Sequence, residues 1–195
     1  MTGCADPKRR PPLQFSPRPA LPIERIAETD LTPNDETAIA ALLARAFSAD
    51  FGGRSFFQQR HHLRFVVREA GTVLGHAALT LRAVRLGDTL VDIAGLAEVA
   101  TLPEARGRGI ATALVGAAIA AARGGPARFV LLFGDRPLYA GLGFVAQPNP
   151  VRFVEMTGAR TDSVVTSRDK GLMVLPLADE TWNGATELDL MGQAF

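Results

Sequence analysis

The sequence predicts one mixed α/β domain: a mostly antiparallel sheet with one parallel pair of strands and helices on its faces. Three observations predict it. Three apolar runs between residues 63 and 102 are separated only by short turns at 69–71 and 86–88, the pattern of an antiparallel meander. A long alanine-rich helix beginning near Ile110 stands between the last of these runs and the apolar run "RFVLLF", and strand–helix–strand order makes a parallel pair. No internal repeat or interdomain linker interrupts the 195 residues, enough for one sizeable core.

The elements follow in order. Residues 1–20, "MTGCADPKRRPPLQFSPRPA", are proline-rich and basic and read as a flexible tail, leaving 21–195 as the domain. The arginine pair Arg9–Arg10 is followed by no apolar core, which argues against a secretion signal. "IERIAETDL" reads as a strand. In "TPNDETAIAALLARAF", Thr32 suits the N-cap, Pro33 the first helical position, and Asp35 and Glu36 the positive end of the helix dipole. Ile39, Leu42, Leu43 and Phe47 share one face of that helix. "SADFGGRSFFQQRHH" is irregular. After the three strands, Ile110, Leu114, Ala117, Ala118 and Ala121 form the stripe of the next helix, ended by Gly124, Gly125 and Pro126. "RFVLLF" is a strand, "RPLYAGLG" a short helix, and "RFVEM" and "GLMVLPL" mark further strands.

Composition excludes several function classes. A net charge of +1 gives no basic or acidic field of the kind that seeks nucleic acid or a membrane surface. No run approaches the ~18 apolar residues of a membrane span. The single cysteine, Cys4, allows no intrachain disulfide and suits a reducing, cytoplasmic setting. His61, His62 and His76 lack ligand spacing with any acid or cysteine, so no metal is expected. His76 reads as a satisfied strand histidine before a catalytic one, and His61 and His62 as solvated residues near a substrate-side loop, with substrate contact as the alternative. Phe56 and Phe57 read as a satellite core or as an acceptor wall. Trp182 reads as a packing residue.

One stretch carries chemistry. "ARGRGIATALVGAAIAAARGG" joins a strand to a helix start through Arg106, Gly107, Arg108 and Gly109. Unpaired N–H groups at a helix start bind anions, and glycine lets an anion approach the backbone. A phosphate or pyrophosphate site is the direct reading. The lysine of a P-loop is missing. A dinucleotide loop is disfavoured because Thr112 holds its last small-residue place and no Asp or Glu follows between Ile110 and Gly134.

Arg106-Gly107-Arg108-Gly109-Ile110-Ala111 satisfies the signature [QR]-x-x-G-x-[GA], and "LYAGLGF" from Leu138 to Phe144 forms a second block. With these blocks the chain resembles the GNAT superfamily of N-acetyltransferases from about Ile23 to Phe195. The resemblance implies acetyl-CoA as co-substrate in a ternary complex. Its pyrophosphate would lie on Arg106, Gly107, Arg108, Gly109, Ile110 and Ala111, and its pantetheine along Val99, Ala100 and Thr101, whose N–H groups would meet the oxyanion. It implies that Tyr139, the only tyrosine in the chain, protonates the leaving thiolate. A tyrosine packed on Leu138 and Phe144 is the alternative.

Strand alternation places Leu96, Glu98 and Ala100 on one face, so Glu98 sits in an apolar strand where desolvation would raise its pKa. It reads either as the base that accepts the amine proton or as the partner of an arginine such as Arg82. "LLARAFSADF", "VLPL" and "ELDLMGQAF" resemble the aminoglycoside 2′-N-acetyltransferases and the nodulation acyltransferases. That branch implies a primary amine on a small molecule, with an amino sugar as one form. Glu187, Asp189 and the terminal carboxylate of Phe195 would either hold a cationic acceptor or form a solvated acidic tail, and Leu190 and Met191 stand where the branch carries an aromatic. A peptide or protein N-terminus, and a non-catalytic acyl-CoA sensor, are the competing readings. Monomer and homodimer are both compatible with the sequence.

Overall fold

The computed structural model describes residues 22–157 and 160–195; the tail at 1–20, with Cys4, lies outside them. Strand β1 (Ile23–Ala27) pairs antiparallel with β2 (Leu63–Glu69), and helix α1 (Pro33–Ala46) lies between them in sequence. Thr32 caps α1: its hydroxyl accepts the Asp35 amide while the Asp35 side chain accepts the Thr32 amide, a reciprocal capping box. β3 (Thr72–Leu86) and β4 (Thr89–Thr101) complete the meander, and α2 (Ile110–Arg123) crosses to β5 (Phe129–Phe133). α3 (Pro137–Gly141), β6 (Val145–Ala146), β7 (Val151–Thr157), β8 (Arg160–Ser167), β9 (Leu172–Pro176) and β10 (Leu188–Gln193) complete the chain.

The ten strands of the described residues belong to one sheet, ordered β6-β9-β5-β4-β3-β10-β7-β8, with β2 paired to β3 and β1 to β2. Two pairs are parallel, β4 with β5 and β10 with β7. β3 is shared along its length: its first half pairs with β2, and Arg85 and Leu86 pair with β10. β5 shows why its sequence is continuously apolar. Val130 and Leu132 join the core beneath α1 and α2, while Phe129 and Leu131 join a second core with Val151, Leu188 and Trp182. Trp182 does pack there, edge-on to Phe129 at 5.0 Å, and its Nε1 donates to Asn149 Oδ1 at 2.8 Å. No helix among the described residues is long and apolar enough to cross a membrane.

Two irregularities of the sheet lie on either side of β4. β4 and β5 are in register only at Ile93, Ala94 and Gly95, so beyond that point they diverge. On the other edge of β4 the register shifts: Ala97 faces Ala78 but Ala100 faces His76, so β4 carries one extra residue. Glu98 lies in this bulge with φ +52°, a left-handed conformation rare outside glycine. The simple alternation expected for Glu98 is therefore broken. Fully buried His76 fastens the bulge. Its Nδ1 donates to the Glu98 carbonyl at 3.1 Å, and its Nε2 accepts from the Arg64 guanidinium at 3.4 Å.

The bond from Arg64 needs neutral imidazole, because a protonated ring has no acceptor nitrogen. Burial, with Arg64 beside it, pushes the His76 pKa from 6.5 down to about 4. Between those values the unfolded chain takes up a proton that the folded chain refuses. Stability should be flat above pH 6.5 and fall by up to about 3 kcal/mol as pH drops to 4. Urea unfolding at stepped pH measures this. His76→Gln should flatten the slope in that window, and an unchanged slope in the variant would remove His76 as its cause.

Candidate active site

The loop at the start of α2 is built from backbone conformation. Gly107 has φ +75° and Gly109, the N-cap residue, φ +79°. No side chain caps this helix, so the N–H groups of its first turn have no partner within the helix. Arg106, Gly107, Gly109, Ile110, Ala111 and Thr112 line a groove here together with Thr101 and Leu138. Arg108 departs from expectation. Its guanidinium turns to Glu69 in the β2–β3 turn, at 2.9 Å, and does not line the groove.

Thr101, Arg106 and Ala111 also line a deeper space bordered by Val99, Ala100, Arg136, Phe133 and Tyr139. This is the gap left where β4 and β5 part. Val99, Ala100 and Thr101 thus border the same channel as the helix start. Tyr139 stands on α3 across from them. Its ring meets Phe144 edge-on at 6.0 Å, so the packing contact expected with Phe144 is present. Burial raises the Tyr139 pKa against the opposing charge of Arg136, so the phenol keeps its proton at neutral pH.

Phe47 and Phe133 border both this space and a further pocket of about 230 Å³. That pocket is lined by Phe51, Phe57, Gln58, Gln59, His61, Glu98, Ala194 and Phe195 as well. Glu98 is its one acidic side chain, only 8% exposed. Its Oε1 accepts the Phe57 amide at 2.7 Å, and its Oε2 takes Arg64 at 3.3 Å. His61 Nε2 lies 3.1 Å from Oε1 without the alignment of a hydrogen bond, and His61 Nδ1 meets the Thr80 hydroxyl at 2.9 Å.

These neighbours overturn the expected pKa direction. Burial does push the Glu98 carboxyl up, but His61, His76 and the Phe57 amide outweigh it and hold it below the ordinary value. The carboxylate stays ionised. The arginine partner foreseen for Glu98 exists, but it is Arg64 rather than Arg82. Arg82 instead donates to the carbonyls of Leu190 and Gln193, each at 2.6 Å.

His61, read from the sequence as solvated, is 5% exposed and faces the pocket, whereas His62 is exposed and accepts the Leu81 amide. Phe57 lines the pocket; Phe56 packs under Arg54 and Arg60. Arg64 was missed altogether, because one arginine in "LRFVVRE" has no pattern that marks it as buried.

Glu187 and Asp189 are not part of this pocket. Asp189 pairs in register with Arg85, near the far turn of the β3–β4 hairpin, and approaches Arg152 at 3.6 Å. Eight residues separate Leu90, the register partner of Arg85, from Glu98, about 25 Å of strand. The segment read as an acidic tail is a strand between β3 and β7, and only Ala194 and Phe195 after it reach the pocket.

A family profile of the acetyltransferase (GNAT) domain matches residues 29–146. An aminoglycoside 2′-N-acetyltransferase of Mycolicibacterium fortuitum is 24% identical over 151 residues, 76% of each chain. A GNAT family N-acetyltransferase of Escherichia coli, crystallised with CoA, is similar in structure with TM-score 0.61 and 25% identity, over 88% of this chain and 91% of that one. A GNAT acetyltransferase of Brucella melitensis, in complex with acetyl-CoA, shares the fold with TM-score 0.57 and 23% identity, over 86% and 96%. The signature loop, the parted strands and the match over more than half of the chain agree: this protein belongs to the GNAT acetyltransferase family.

Proposed function

We propose that this protein transfers the acetyl group of acetyl-CoA to a primary amine of a small molecule, with both substrates bound together. The carrying observation is a run of three adjoining pockets that share lining residues, from the α2 helix start, past the parted β4 and β5, to the pocket that holds the ionised Glu98 carboxylate.

The residues suit acetyl-CoA. The left-handed Gly107 and Gly109 aim first-turn N–H groups at a diphosphate, Arg106 adds charge, and Arg108 contributes its backbone. Acetyl-CoA supplies the thioester carbonyl. Backbone N–H groups of Val99 to Thr101 meet the carbonyl oxygen as it gains charge. Glu98 draws the acceptor's ammonium in and takes its proton, directly or through one water, freeing the lone pair. The C–N bond forms and the C–S bond breaks; Tyr139 passes its phenolic proton to the departing sulfur, and the second proton shed by the acylated nitrogen returns through water to the Tyr139 oxygen.

Gly109→Val cannot hold φ +79° without strain. It should weaken acetyl-CoA binding at least tenfold, about 1.4 kcal/mol. Calorimetry on the folded variant checks this, and unchanged affinity would defeat the loop assignment. Tyr139→Phe keeps the ring and its packing. It should lower kcat by roughly 10²–10⁴-fold with the acetyl-CoA Kd intact, the pattern of an interaction made in the transition state. Free thiol release with an accepted amine is the readout. Near wild-type kcat would reduce Tyr139 to a packing residue, and binding without thiol release from any amine would favour a sensor.

A further inference from the structure

The geometry points to the acceptor's chemical class: a primary amine on a short tether to a compact, apolar, aromatic-sized body, rather than an amino sugar. This rests on the acetyl-transfer reading of the same site.

Two aromatic groups wall the pocket. Phe47, Phe51 and Phe57 form one, with successive centroids 5.4 and 5.3 Å apart; Phe133 and Phe195 form the other at 5.2 Å. Phe47 and Phe57 are 37% and 40% exposed, so apolar ring surface stands open to the channel. Burying such surface is favourable only for an apolar guest.

The Phe195 wall is held in place. A Cβ on Gly95 would lie 2.6 Å from its ring, so the ring packs directly on the β4 backbone. Arg82 secures the segment through the Leu190 and Gln193 carbonyls. Gln193 also donates to Gln59 Oε1 at 2.8 Å, which leaves the buried Gln59 Nε2 without a partner among the described residues.

Size and polarity agree. An apolar cavity of 150 Å³ takes benzene, so about 230 Å³ takes roughly nine non-hydrogen atoms in that proportion. A phenyl ring, a two-carbon tether and an amine number about nine. Glu98 matches one ammonium, and no second acidic side chain lines the pocket. Gln59 Nε2 and His61 Nε2 can each serve one polar group, but an amino sugar would bury further hydroxyls against phenylalanine rings, each at a cost when left unpaired. Glu187 and Asp189 lie too far along the sheet to help.

The test is steady-state thiol release from acetyl-CoA with 2-phenylethylamine, glucosamine, a 2′-amino aminoglycoside and an alanyl peptide. It is run on the wild type, Phe57→Ser and Phe195→Ala, with the acetyl-CoA Kd of each measured by calorimetry. Phe57 is in an exposed loop and Phe195 follows the last strand, so at least one variant should fold.

The wild type should favour 2-phenylethylamine over both sugars and the peptide by at least tenfold in kcat/KM. Either folded variant should lose about tenfold of that kcat/KM through KM, with the acetyl-CoA Kd unchanged. Equal or better turnover of a sugar or peptide would overturn the inference and leave acetyl transfer standing. So would a preference for 2-phenylethylamine that survives in both variants. Thiol release from no amine would overturn both readings.

Discussion

One buried guanidinium ties the active-site half of this fold together. Arg64, on β2, is fully buried. It reaches both carboxylate oxygens of Glu28 at 2.7 and 3.1 Å, the Ser55 carbonyl at 2.8 Å, His76 Nε2 at 3.4 Å and Glu98 Oε2 at 3.3 Å. Those partners come from the end of β1, the loop after α1, β3 and the β4 bulge. A buried cation is tolerable only when so surrounded, and removing one partner leaves the rest uncompensated. The network continues outward as Glu28 and Glu36 both hold Arg60, and Glu36 takes the Ser55 hydroxyl. The loop that carries Phe51 and Phe57 is thereby anchored to the same charges that hold Glu98.

This arrangement sets what Glu98 does. A lone carboxylate in an apolar strand would be a strong base with a raised pKa. Here the surrounding donors hold it ionised and lower its proton affinity. Such a group is better at drawing in and orienting an ammonium than at keeping its proton. His61, against Glu98 on one side and Thr80 on the other, lies beside it as the next group along. The left-handed backbone at Glu98 belongs to the same design: the extra residue re-aims the side chain, and His76 holds the displaced carbonyl.

What was legible in the sequence was local or carried by backbone conformation. The Thr32 cap, the meander turns and the Gly107–Gly109 loop each depend on neighbours within a few residues, and each stands where the sequence placed it. β10 is not legible because "LDLMGQ" contains an aspartate and a glycine and alternates only over Leu188, Asp189 and Leu190. It is a strand because β3 and β7 offer two free edges and Leu188 and Leu190 fill the second core. β8, "RTDSVVTS", is an exposed edge strand with little apolar surface to announce it. The bulge at Glu98 was hidden for a different reason. Register is a property of two strands, and nothing in "GLAEVATL" alone says that β3 skips a residue opposite it.

The same distinction separates the two substrates. The proposed nucleotide end is one helix start and a stretch of strand leading into it, so its determinants are contiguous and read as a motif. The proposed acceptor end is assembled from the end of α1, the loop after it, the β4 bulge, the end of β5 and the segment after β10. These pieces span residues 47 to 195, and what joins them is Arg64 at one side and Arg82 at the other, each a single residue in an otherwise ordinary strand. A pocket made this way can change its guest by changing a ring or two while the channel, the sheet and the loop stay as they are. Membership of the family is therefore written in the sequence, whereas the choice of amine depends on side chains that only the folded sheet brings together.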